Sequence, residues 1–187
     1  MNYLKELGPR LLKNGYNVIP VEPKKKYPII EGWNEIKTTF EHLEKWGRRN
    51  YSVGITTRDT PCIDIDVLDA STVAKLVSWV EYNLGYPPIR VGRAPKTLLV
   101  FRAEGSAEFP KLSTPEYYDD NNVKHQIEVL SAGQQFVAYG IHEGTRKPYT
   151  WVDELSLVDI PRADLPVLTV DKVKELFSYF ESIIPHG

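Results

Sequence analysis

The chain is short of sulfur. Its 187 residues include one cysteine, Cys62, and one methionine. A lone cysteine excludes a disulfide framework. With four scattered histidines and no C-x-x-C pair, the chain also lacks the ligand spacing of a structural zinc site. No window approaches the ~18 apolar residues that a membrane span needs. Residues 1–10 mix Lys, Glu, Gly and Pro and hold no apolar stretch of signal-peptide length, so the expected location is the cytoplasm, with no membrane partner. Excess positive charge is missing too: 23 Lys+Arg stand against 25 Asp+Glu, a net −2. A domain that held nucleic acid through bulk charge would be basic, so any polyanion must be held by local clusters. Three sequence signatures are absent as well: G-x-x-x-x-G-K-[ST], G-x-G-x-x-G and G-x-S-x-G. Their absence excludes an ordinary P-loop, a dinucleotide fingerprint and a nucleophile-elbow hydrolase.

The remaining composition, 42% apolar and 26% charged, is that of a soluble globular domain, and the length fits one domain with a full core. The pattern mixes helices and strands. Helical spacing appears at 3–14, from Thr38 or Thr39 to about 49, at 71–84 and at 171–184. Thr38 with Glu41 fits a capping box. The last helix, within 170–187, could lead into a further domain. Strand-like runs lie at 16–23, 51–57, 61–67, 89–91, 97–102, 125–131 and 134–140. The last two read as a hairpin around Ala132-Gly133, and 103–124 reads as irregular. This mixing with late hairpins predicts an α+β fold with an antiparallel or mixed sheet.

Three groups of residues carry chemistry. In Cys62-Ile63-Asp64-Ile65-Asp66-Val67, strand alternation sends Ile63, Ile65 and Val67 to one face and Asp64 and Asp66 to the other. The two acids stand about 7 Å apart along the strand. Like-charged carboxylates raise each other's pKa, and a divalent cation removes that cost. Oxygen ligands select Mg²⁺ or Mn²⁺, and a metal pair can clamp both oxygens of a phosphoryl transfer. In Gln126-Ile127-Glu128-Val129-Leu130, Glu128 projects opposite to the apolar residues, and a neighbouring strand would bring it beside Asp64 and Asp66. Around Gly92, Arg90, Arg93, Lys96 and Arg102 can grip a triphosphate, Arg by bidentate bonds and Lys as a point charge. His142 follows in a loop near these elements. His125 points away from Glu128. Tyr117, Tyr118, Phe136, Tyr139 and Tyr149 could stack bases or fill the core.

With these residues in place, the chain resembles the bifunctional primase–polymerase domain found at the N-terminus of many phage and plasmid replication proteins, within the archaeo-eukaryotic primase superfamily. The match runs almost end to end. GYNVIPVEPKKKYPIIEGWNE is similar to the family's opening segment, and YSVGITT to the strand before its first motif. CIDIDV stands where the family has its D-x-D motif, and IEVLSAGQQFVAYGIHEGTRKPYTW is similar to the third motif and its tail. The second motif departs: many relatives have a small-x-His there, whereas RVGRAPKTLLVFR puts Lys96 in the histidine's place.

The resemblance implies an RRM-like mixed sheet that carries the catalytic carboxylates and packs on an N-terminal α/β module. It implies a primase and DNA polymerase that uses nucleoside triphosphates on a single-stranded DNA template and primer. A helicase domain or protein would be its partner, in phage or plasmid replication. Asp64, Asp66 and Glu128 would hold two Mg²⁺ or Mn²⁺ ions. Arg90, Arg93 and Lys96 would bind the triphosphate, with His142 and Gln134 or Gln135 touching the nucleotide. Lys24, Lys25, Lys26, Arg48 and Arg49 would meet the template. Two other readings stay open: a non-catalytic nucleotide- or DNA-binding module of the same fold, and a metal-dependent nuclease using the same acids on water.

Overall fold

A computed structural model describes residues 1–184; the last three residues of the terminal segment 170–187 lie outside the described residues. The elements are α1 (Tyr3–Lys13), β1 (Val18–Val21), α2 (Phe40–Trp46), β2 (Ser52–Thr56), β3 (Cys62–Asp66), α3 (Ala70–Leu84), β4 (Ile89–Val91), β5 (Thr97–Val100), β6 (Leu112–Ser113), β7 (Tyr117–Tyr118), β8 (Lys124–Leu130), β9 (Gln135–Tyr139), β10 (Thr150–Trp151) and α4 (Val170–Ile183). Helix starts follow from capping side chains. Asp69 accepts from Thr72 N at the start of α3, and Thr169 from Lys172 N at the start of α4. The capping box of α2 is Thr39 with His42, not the expected Thr38 with Glu41, because Thr38 is withdrawn to donate its hydroxyl to Val18 O. Pro9 is tolerated inside α1, which runs unbroken from Tyr3 to Lys13. Among the described residues no helix is long and apolar enough to cross a membrane.

The strands form two sheets. The larger runs β10-β4-β5-β3-β8-β6, with β7 also paired to β8; the smaller runs β1-β2-β9. Every ladder is antiparallel, so of the antiparallel or mixed sheet that the pattern predicts the antiparallel one is formed, and the mixed sheet that the resemblance implies is corrected. The α3 crossover leads from β3 to β4, the arrangement that usually makes a parallel pair. Here β5 lies between them and runs against both. The expected β8–β9 hairpin is also absent. The Ala132-Gly133 turn is real, with Gly133 at φ 79°. However, β8 pairs with β3 while β9 pairs with β2 in the other sheet. At the crossing point Thr57 Oγ1 and Gln134 N both donate to Ser131 O, which pins the chain as it changes sheets.

Alternation along β3 then sorts the core. Ile63 and Ile65, with Leu99, Ile127 and Val129 of its neighbours, pack on Leu76 and Val80 of α3 and on Leu176 and Phe180 of α4. On the other face Cys62, Leu98 and Val100 pack against Val53, Ile55, Phe136 and Ala138 of the small sheet and Leu4 and Leu11 of α1. The large sheet thus has helices behind it and the small sheet over part of its front. A one-residue slip of β3 would put both aspartates into the apolar layer, so the register is firmly specified.

Candidate active site

The uncovered part of that front face holds a charged row. Asp64 lies opposite Leu98 of β5 on one side and Glu128 of β8 on the other. Leu98 lies opposite Arg90, which lies opposite Trp151. Residues directly opposite share a face with Cβ atoms about 4.5–5.5 Å apart. Glu128 therefore stands beside Asp64, and Asp66, two positions along and opposite Gln126, shares the same face. The side chains do not converge as they stand. Among the described residues no three His, Cys, Asp or Glu groups are spaced to hold an ion. Asp66 is paired with two lysines: Lys96 Nζ lies 2.7 Å from Oδ1 and Lys124 Nζ 3.3 Å from Oδ2.

The row opens into a cleft of about 520 Å³ between the two sheets. Lys26, Arg90, Arg93 and Lys96 line it together with Asp64, Asp66 and Glu143, and Glu128 stands just outside the lining. Arg90 forms part of its floor, enclosed by protein but with one side open to the cavity. Its Nη1 donates to Val137 O at 2.5 Å, and its guanidinium lies 4.7 Å from the Tyr149 ring centre and 5.7 Å from that of Phe136. Burial lowers its pKa, against the pull of Tyr149 and Asp64, but a guanidinium stays charged.

Burial pushes the Asp64 carboxyl up to about 6; Arg90 opposes this, while Glu128 and Asp66 add to it. Burial would raise Asp66 as well, but Lys96 and Lys124 outweigh it and its pKa is lowered. Asp64 and Asp66, two positions apart on one face of β3, offer carboxylate oxygens of the hard kind that Mg²⁺ or Mn²⁺ would take.

His142 also lines the cleft. Its Nδ1 accepts from Gly144 N at 3.0 Å and Thr145 N at 3.1 Å, so the remaining proton of the neutral ring is on Nε2. Burial lowers its pKa, as do the charges of Lys26, Arg90 and Arg93. Gly92 makes this packing possible: a Cβ there would lie 2.6 Å from His142 Cδ2 and 2.7 Å from Tyr149 Cε1.

Other expected site residues are placed differently. Arg102 leaves the group, its Nε donating to Leu165 O. Gln134 closes the sheet-crossing turn by accepting from Ser131 N; its neighbour Gln135 lines the cleft and donates to Lys26 O. Of the lysine loop, Lys26 reaches the cleft and Lys25 pairs with Glu143 at its rim, while Lys24 occupies a turn at φ 61°. Arg48 lines a different groove, between α1 and α2. Arg49, just beyond α2, accepts from Asn2 through its backbone. His125 is buried against Asp119, away from Glu128. Of the aromatic residues, Phe136 and Tyr149 clamp Arg90, Tyr139 fills the core, and Tyr117 packs edge-on against Phe180. Lys124 escaped the sequence reading, although its alternation with Gln126 and Glu128 places it on the acids' face.

No curated protein matches the chain. A family model described as Prim-Pol, bifunctional DNA primase/polymerase, N-terminal, matches residues 9–166, a span that takes in both sheets and every cleft residue named above. The chain belongs to the Prim-Pol family, and its function is of the primase/polymerase type in DNA replication.

Proposed function

We propose that residues 1–187 form a metal-dependent nucleotidyltransferase of the archaeo-eukaryotic primase fold. It makes and extends primers on single-stranded DNA in phage or plasmid replication, in the host cytoplasm and alongside a helicase domain or protein. The observation that carries this reading is the register of β3 with β8: Asp64 faces Glu128, Asp66 shares their face, and the cations of the cleft begin one strand away. Asp64, Asp66 and Glu128 would hold two Mg²⁺ or Mn²⁺ ions. When bound, such ions lower the pKa of an attacking 3′-hydroxyl and stabilise the leaving pyrophosphate.

The chain's own groups do the rest. Lys26, Arg93 and Lys96 take the triphosphate of a dNTP or NTP as charges on the cleft wall. Arg90, held by Val137 O and two rings, supplies a fixed charge that needs no reorganisation. His142 donates from Nε2 to a phosphate or sugar oxygen. Gln135 anchors the Lys26 loop to the wall. Lys24 and Lys25 lie beside the opening for a template strand. Arg48 and Arg49 serve only a template that runs on past α2.

The double substitution Asp64→Ala with Asp66→Ala should abolish primer synthesis and extension while circular dichroism stays native. Synthesis retained by that variant refutes the site. One observation favours a second reading, a nucleotide- or DNA-binding module without turnover: both oxygens of Asp66 are taken by lysines. Pyrophosphate release from a labelled triphosphate with Mn²⁺ and template separates the two, since the binding module releases none.

A further inference from the structure

Asp66 is held from two sides. Lys96 ends the turn between β4 and β5, where its N–H donates to Arg93 O, and it lines the cleft. Lys124 opens β8 opposite Tyr118 of β7 and lies outside the cleft lining. Its backbone is braced by the next residue. The buried His125 ring contacts Asp119 Oδ2 at 3.1 Å and accepts from Leu68 N at 3.4 Å. The two ammonium groups therefore reach the same carboxylate from opposite flanks, one from the cavity and one from a pinned strand. Asp66 is the least exposed partner, with a side chain 21% exposed against 37% for Lys96 and 39% for Lys124, so the contacts are only partly screened by water.

We propose that Lys96 and Lys124 together stand in for a divalent cation on Asp66, and that Lys96 is the one an entering triphosphate withdraws. This rests on the reading of Asp66 as a metal-binding residue. With an ammonium at each oxygen, a further cation meets like charge on both flanks of the carboxylate, and it binds only as that charge is moved. A triphosphate presents several anionic oxygens in the cleft that Lys96 lines, and it outcompetes a single carboxylate for the ammonium. Lys124, on the far flank, has no such competitor and stays. Triphosphate entry and the opening of Asp66 thus become one event, and the chain without nucleotide takes up divalent cations weakly.

The test uses the full chain in two separate titrations, so that polyphosphate never chelates the metal. In the first, Mn²⁺ is titrated without nucleotide and free Mn²⁺ is read by electron paramagnetic resonance. The samples are wild type, Lys96→Met, Lys124→Met and the double variant Lys96→Met with Asp66→Asn. In the second, inorganic tripolyphosphate is titrated with EDTA present. Both lysine variants should bind Mn²⁺ about three- to tenfold tighter than wild type, and only Lys96→Met should lose affinity for tripolyphosphate. Unchanged Mn²⁺ affinity in Lys96→Met overturns the proposal, as does an equal loss of tripolyphosphate binding in both lysine variants. Lys96→Met with Asp66→Asn that binds Mn²⁺ as tightly as Lys96→Met alone overturns the metal reading of Asp66 itself, which separates the two failures.

Discussion

Replacing Asp64 by Asn should make the metal-free protein more stable while it removes the proposed activity. Folding raises the Asp64 carboxyl from 3.8 to about 6. A carboxyl with a raised native pKa binds its proton more tightly when folded. Its contribution to stability is therefore full below about pH 4 and is lost as the pH rises through about 6. A shift of about 2 units at about 1.4 kcal/mol each is at most about 3 kcal/mol. Asn keeps the shape of the protonated acid and cannot ionise, so it avoids that loss. The variant should exceed wild type by up to about 3 kcal/mol at pH 8 and by almost nothing below about pH 4. For a chain of this size the gain at pH 8 is about 6–12 °C in Tm. Urea unfolding in EDTA at pH 4, 6 and 8 measures the gap. A gap that does not vary with pH, or an Asn variant less stable than wild type at pH 8, refutes the claim that Asp64 is buried against its own charge.

Gly92→Ala should cost about 1–3 kcal/mol, because its Cβ meets the rings of His142 and Tyr149. Fluorescent dNTP binding should weaken along with thermal stability; unchanged affinity would show that the two rings do not shape the nucleotide pocket. At His142 two isosteric changes should separate structure from binding. His142→Asn retains an acceptor near Nδ1 for the N–H groups of Gly144 and Thr145, so it should keep its stability and raise the KM for nucleotide. His142→Gln keeps a group near Nε2 but leaves those two N–H groups unpaired, at about 1–3 kcal/mol. Denaturation together with KM measurements on both variants checks the split, and equal effects in the two would disprove the tautomer assignment.

Much of the acid cluster was legible because alternation is a local signal. CIDIDV and QIEVL each state which side chains share a face. The pairing of the two strands was an inference from β character, and β8 does lie beside β3. Pairings set by distant partners were not legible. Ala132-Gly133 has the chemistry of a hairpin turn, yet β9 finds its partner in β2, and nothing within 125–140 encodes that choice. The two-residue strands β6 and β7 are too short to show a period. Arg102 fell in with the Gly92 cations by sequence spacing, while in space Leu165 O claims it. The choice between Gln134 and Gln135 has the same root as the hairpin, since the turn's geometry decides which amide faces the cavity.

The abrupt passage from β8 to β9 has a consequence for how such a chain can change over time. One short uninterrupted stretch delivers both Glu128 on the acidic side and the Gln135–Val137 wall on the other. Lengthening or shortening the link would move the wall relative to the acids without altering a single side chain. Growth by insertion is therefore confined elsewhere, to stretches such as 103–111 that set no distance across the cavity, and variants of this architecture should diversify there while this link keeps its length.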